Sequence, residues 1–150
     1  MRNHACLFAL ALACLVAPPA TQAALGGPEA QAAADAAALR TTPLQRPAGA
    51  YTVHEFVAPG GTRIREFAVP GGAVFAVSWN GPFRPDLRTL LGERYADYQS
   101  APRLAGSTRS QLAIDHAGLR VRSGGHMHAF RGIAWLPSLL PLGLEPGALQ

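Results

Sequence analysis

Glu55-Phe56-Val57-Ala58-Pro59-Gly60-Gly61 recurs eleven residues later as Glu66-Phe67-Ala68-Val69-Pro70-Gly71-Gly72. In each copy a short apolar run ends in Pro-Gly-Gly, where proline fixes one turn dihedral and glycine supplies the positive one. A third run, Ala73 to Trp79, follows the second turn directly. Three short runs rich in Val, Phe, Thr and Trp, joined by tight turns, predict an antiparallel meander. The repeat is too short and has too few copies for a solenoid.

Downstream, Asn80-Gly81-Pro82 closes the meander and Asp86 is placed to cap a helix. Leu87, Leu90, Leu91, Tyr95 and Tyr98 then fall on one helical side. Gly92 in their midst costs about 1 kcal/mol relative to alanine. It marks either close packing on a sheet or a break between two shorter helices. Ser100 to Ser110 reads as a loop. A second meander follows: Leu112 to His116, a turn at Ala117-Gly118, Leu119 to Ser123, a turn at Gly124-Gly125, then His126 to Leu136. The run from Val69 to Trp79 and the run from Arg122 to Trp135 echo each other, through an ancient duplication or through shared turn chemistry. The tail from Pro137 is leucine-rich but broken by prolines, as an extended cover over a sheet would be. The expected class is α+β: two antiparallel β-meanders flanking one amphipathic helix in one compact domain. The sheet is either continuous or split around a shared core. Residues 51–142 would form the domain and 143–150 a C-terminal tail.

Upstream, residues 24–50 hold Ala, Gln, Pro and Gly with few large apolar side chains. Such a segment is expected to be a disordered leader, because it cannot offset its own ordering entropy. Residues 1–23 carry the order of an export signal: Arg2 and His4, an apolar run from Ala5 to Ala17, and a small-residue exit at Thr21-Gln22-Ala23. The apolar run is short of the roughly 20 residues a spanning helix needs. Ala11-Leu12-Ala13-Cys14 is a degenerate lipobox that lacks the usual leading leucine. Cleavage after Ala23 is therefore expected, giving a periplasmic or secreted chain without a transmembrane segment. Both cysteines, Cys6 and Cys14, leave with the signal. The mature chain then has no thiol, disulfide or thiolate metal site, and at about 127 residues it is long enough to bury a core without them.

The chain has no lysine, and all 13 basic side chains are arginine. Heavy use of Ala, Gly, Pro and Arg fits codon bias in a GC-rich bacterial genome. Loss of Arg2 leaves 12 arginines against 9 acids, a formal +3, with no basic run. That excess does not point to nucleic acid.

Ala73 to Pro82, Pro85 to Gly92, Ser123-Gly124-Gly125-His126-Met127 and Ala134-Trp135-Leu136-Pro137 together resemble a family of exported proteobacterial proteins, domain of unknown function 2844. The likeness runs from about Tyr51 to Leu142 and includes a signal peptide ending just before Ala24-Leu25-Gly26. It implies an exported bacterial protein and carries over no activity, cofactor or catalytic residue.

Three constellations bear on chemistry. On a strand, His126 and His128 would point the same way and reach one metal ion, with imidazole favouring zinc or copper. The alternative is that His126 caps the Gly124-Gly125 turn and His128 is a hydrogen-bonded, partly buried side chain. A third ligand is missing, since His116 would lie two ladders away, roughly 10 Å across. Glu55 and Glu66 form an apparent carboxylate pair, but as repeat-equivalent positions they read as solvated or paired with Arg63 and Arg65. No Gly-x-Ser-x-Gly elbow or cysteine nucleophile is present in the mature chain. Finally, Arg120, Arg122 and Arg131 share the outer sheet face with Asp115, and Arg63 and Arg65 alternate likewise in the first meander. Guanidinium forks suit phosphate and carboxylate, so these five residues mark a possible anion or partner surface. An outer antiparallel face must also simply be polar, and here the basic residue available is arginine.

The reading is a small exported protein without a recognisable catalytic constellation or cofactor. It would act as an envelope accessory or binding module on another exported protein or an anionic envelope component. The alternative is a metal-binding protein using His126 and His128.

Overall fold

The computed structural model describes residues 25–31, 44–47, 49–108 and 110–149. The expected signal peptide, residues 1–23, lies outside these, as does most of the leader. The fold is α+β. Among the described residues seven strands form one antiparallel sheet: β1 (Leu44–Pro47), β2 (Thr52–Val57), β3 (Arg63–Ala68), β4 (Val74–Gly81), β5 (Gln111–His116), β6 (Leu119–His126) and β7 (Ala129–Trp135). Their spatial order is β1-β2-β3-β4-β7-β6-β5. The two meanders therefore join edge to edge through β4 and β7, and the sheet is continuous.

The Pro-Gly-Gly turns connect β2 to β3 and β3 to β4, with Gly60, Gly61 and Gly71 at positive φ. The β5–β6 hairpin turns at Ala117-Gly118, where φ is 50° and 76°. Two successive positive values suit the right-handed strand twist. A bulge at Phe75 lets Ala68 pair with Val74 while Phe67 pairs with Ala76. Phe75 and Ala76 then share one cluster while Val74 and Val77 share the other.

Between the meanders, α1 (Leu87–Leu91) passes through a 3-10 turn at Gly92–Arg94 into α2 (Tyr95–Ser100). Gly92 is the break, at φ 52° and ψ −124°. Asp86 caps α1, accepting from the Arg88 backbone N–H at 2.9 Å and the Thr89 hydroxyl at 2.8 Å. The Thr89 bond above all holds its carboxyl below the ordinary range, with desolvation opposing. Leu90 and Leu91 are buried, with Leu87, Tyr95 and Tyr98 packed against the same cluster. The helical segment thus lies over one face, against Phe56, Ile64, Val77, Trp79, Ile114, Val121 and Ala134.

The opposite face buries Phe67, Phe75, Ala76, Ile133 and Trp135 beneath Leu140, Leu144 and Leu149. The tail covers this face as expected but is not extended: it runs through 3-10 turns at Pro137–Leu139 and Pro146–Leu149. Leu149, only 1% exposed, is core, so residues 143–149 belong to the domain instead of trailing from it.

Two expectations need correction. First, the described parts of residues 24–50 are folded onto the domain. Leu25 is 3% exposed, and its N–H donates to the Leu90 carbonyl at 3.0 Å. Gly26 N–H donates to Val74 O, and Val74 N–H donates to Gly27 O, each at 2.8 Å. Leu44–Pro47 adds strand β1 beside β2. Backbone hydrogen bonds and one leucine anchor this segment, and neither registers in a count of large side chains.

Second, the β6–β7 reversal falls at Met127-His128 and Gly124-Gly125 lie inside β6. A turn at Gly124-Gly125 would set Leu119 opposite Phe130 and leave Arg131 to Trp135 without partners on β6. The observed register pairs Arg120 with Trp135 and keeps the whole of β7 laddered. The echo between the halves stops short of orientation. Trp79 faces the helical side and Trp135 the tail side.

Candidate functional site

Strand alternation and the β4–β7 junction bring the arginines of both meanders onto the tail-side face. One cross-strand row reads Glu55, Arg65, Ser78, Ile133, Arg122, Ala113. The next, nearer the hairpin tips, reads Val57, Arg63, Asn80, Arg131, Gly124, Gln111. The tail covers the rows beyond these, where Val53, Phe67, Ala76 and Trp135 lie. Arg63, Arg65, Arg122 and Arg131 are left around a floor of Ser78 and Asn80.

The cavity between Arg63, Arg65 and Arg131 has a volume of about 330 Å³, with Ser78 and Asn80 in its lining. A second hollow of about 300 Å³ adjoins it, sharing Arg131 and Gly132 and reaching Arg122 and the loop at Ala105–Ser107. At about 4.8 Å per strand, Arg63 and Arg131 stand about 10 Å apart and Arg65 and Arg122 about 14 Å.

Charge on this face is unevenly compensated. Glu55 accepts from Arg65 Nε at 2.8 Å and lies 3.4 Å from Arg63 Nε. Arg120, in the tail-side row, pairs with Asp115 at 2.8 Å. Arg122 lies over the Trp135 ring at 5.6 Å. Neither Arg122 nor Arg131 has a carboxylate partner among the described residues. Four guanidinium groups thus share one carboxylate, in a concave setting where field lines concentrate.

The other sequence candidates are not brought together in this way. His126 ends β6, while His128 occupies the turn at φ 63° with its ring 6.2 Å from Phe83. The strand alternation that would have aimed both imidazoles at one ion does not exist there. Among the described residues no group of three or more His, Cys, Asp or Glu is arranged to hold a metal. Glu55 and Glu66 face opposite sides. Glu66 is buried on the helical side, opposite His54, because Glu55 pairs with Arg65.

His54 itself was missed. It is 2% exposed, with Nε2 3.2 Å from Glu29 Oε1. Glu29 Oε2 accepts from the Gly71 N–H at 2.6 Å. That bond holds the Glu29 carboxyl below its ordinary value; desolvation opposes it and His54 adds to it. Thr52-Val53-His54-Glu55-Phe56 already placed His54 on the buried face by alternation. Its partner, 25 residues upstream in the supposed leader, gave no sequence signal.

A family model described as "Protein of unknown function (DUF2844)" matches residues 21–149. The chain belongs to this family. The match covers the docked segment around Leu25 and the C-terminal Leu149 as well as the strands. No curated protein and no solved structure matches the chain. Among the described residues no helix is long and apolar enough to cross a membrane.

Proposed function

We propose that this DUF2844 protein is an exported binding module that recognises an anionic group, phosphate or carboxylate, on an envelope component. The observation that carries the reading is the convergence of Arg63, Arg65, Arg122 and Arg131 on one concave face, with Glu55 as their carboxylate neighbour. Guanidinium forks bind such oxyanions bidentately, and Ser78 and Asn80 add polar groups between them. The row spacing suits a ligand carrying more than one acidic group. No nucleophile or acid–base pair is assigned a role, so the reading is binding without turnover. Export itself rests on the signal pattern of residues 1–23.

The test is calorimetric titration of the mature chain with tripolyphosphate and with citrate, at low and physiological salt. Binding that weakens with salt, and falls at least tenfold in an Arg65→Gln, Arg131→Gln double variant, supports the reading. No binding of either anion, or equal binding by the variant, overturns it.

A further inference from the structure

The end of the sheet beside the arginine face has a character of its own. Three connections converge there: the Pro59-Gly60-Gly61 turn, the Gly81–Arg84 segment and the Met127-His128 turn. The Thr62 hydroxyl donates to the Phe83 carbonyl at 2.7 Å, the Phe83 ring lies against His128, and Arg84 lies 5.4 Å over the Phe130 ring. The end is therefore a tied platform, held by contacts between all three connections.

Its outward side chains are apolar and basic. Met127 is 83% exposed, Phe83 54% and Val57 46%, three of the most exposed large hydrophobic residues in the described chain. Around them stand Arg63, Arg84 and Arg131, all exposed. The nearest acids are engaged: Glu55 with Arg63 and Arg65, and Asp86 in capping α1. Exposed apolar side chains set among exposed arginines suit an anionic bilayer, with charged headgroups outside and acyl chains beneath.

We infer that this end docks onto an anionic lipid surface, with Met127, Phe83 and Val57 entering the headgroup–acyl boundary and Arg63, Arg84 and Arg131 contacting lipid phosphates. The inference rests on the anion-binding reading for its arginine contribution and adds Met127 and Phe83, outside the cavity lining, as a second, independent element. A soluble oxyanion would use the cavity, whose lining includes Val57, and leave Met127 and Phe83 untouched, whereas a bilayer engages all of them at once.

The test is co-sedimentation of the mature chain with phosphatidylcholine vesicles, with and without phosphatidylglycerol. Binding should require phosphatidylglycerol and decline with salt. Met127→Ser should weaken it about tenfold, as expected for losing one apolar side chain from the membrane. Arg84→Gln should weaken it severalfold. Met127 is 83% exposed, so its substitution reads binding with little effect on the fold; Phe83 is avoided because its ring lies against Gly60. In a Met127→Trp variant the added indole should shift its emission to the blue when anionic vesicles are present. Tripolyphosphate binding without vesicle binding would overturn the membrane inference and leave the anion-binding reading standing. Vesicle binding indifferent to Met127→Ser would also overturn it, by reducing the contact to charge alone.

Discussion

The two faces of this sheet are built on different terms. On the helical side, apolar side chains run from Phe56 and Ile64 across Val77 and Ala134 to Val121 and Ile114, roofed by Leu90 and Leu91. On the tail side the same strands bury Phe67, Phe75, Ile133 and Trp135 under the C-terminal leucines. They then give way to rows of arginine around Ser78 and Asn80. The helical face is committed to stability along its length, while the tail face divides between a covered half and an open half. Where a small domain leaves one sheet half uncovered, substitution there costs little folding energy, and a binding site can occupy it without weakening the core.

The sharpest way to break this contrast is at the helical face. Leu91 is fully buried under the sheet's centre, so Leu91→Ala should cost about 2–5 kcal/mol by lost transfer energy and residual cavity. Urea unfolding measures it, and a loss below 1 kcal/mol would mean the helical segment is only loosely seated. Leu25→Ala comes next, at about 2–3 kcal/mol. It tests whether the upstream segment is part of the domain, as its bonds to Leu90 and Val74 imply. An unchanged midpoint would restore the picture of a dispensable leader.

These positions also show what was legible in the sequence. Turns were readable where residue chemistry dictates a backbone conformation, as at Pro59-Gly60-Gly61, Pro70-Gly71-Gly72 and Ala117-Gly118. Gly124-Gly125 misled because glycine is equally at home inside a strand where a neighbour crowds it. A Cβ on Gly125 would run into the Ala129 carbonyl and the Phe130 backbone, and ladder length decided the register. The five arginines could be placed on outward faces by alternation, strand by strand. That Arg63 and Arg65 would adjoin Arg131 and Arg122 could not be read, since it depends on β4 pairing with β7 across some fifty residues. The strand geometry from which the His126–His128 reading was argued went with the misplaced turn, and His54 was passed over because its partner lies in a segment judged by composition alone.

Glu29 offers a smaller effect with a definite sign. Its carboxyl titrates lower in the folded chain than in the unfolded one, first through the Gly71 N–H. The stability it contributes is therefore complete above the unfolded value, about pH 4.3, and is lost as the pH falls through the folded value. Glu29→Gln should cost about 1 kcal/mol at neutral pH and flatten the acid limb of the stability profile. Parallel acid limbs for the two chains would show that the contact with Gly71 and His54 contributes nothing.

The smallest effects on folding should come from the open half of the tail face, and that smallness is what gives them meaning. Arg131 makes no ion pair among the described residues and lines both cavities. Its replacement by glutamine should leave the urea midpoint within about 0.5 kcal/mol of the parent. Arg122→Gln should cost slightly more, about 0.5–1 kcal/mol, because the guanidinium also covers the Trp135 ring. If both hold while anion binding drops, the open half is a surface whose side chains serve recognition, distinct from the covered half a few ångströms away. If Arg131→Gln instead destabilises the fold by 2 kcal/mol or more, the arginines are structural, and the division of the tail face into a stabilising half and a binding half must be abandoned.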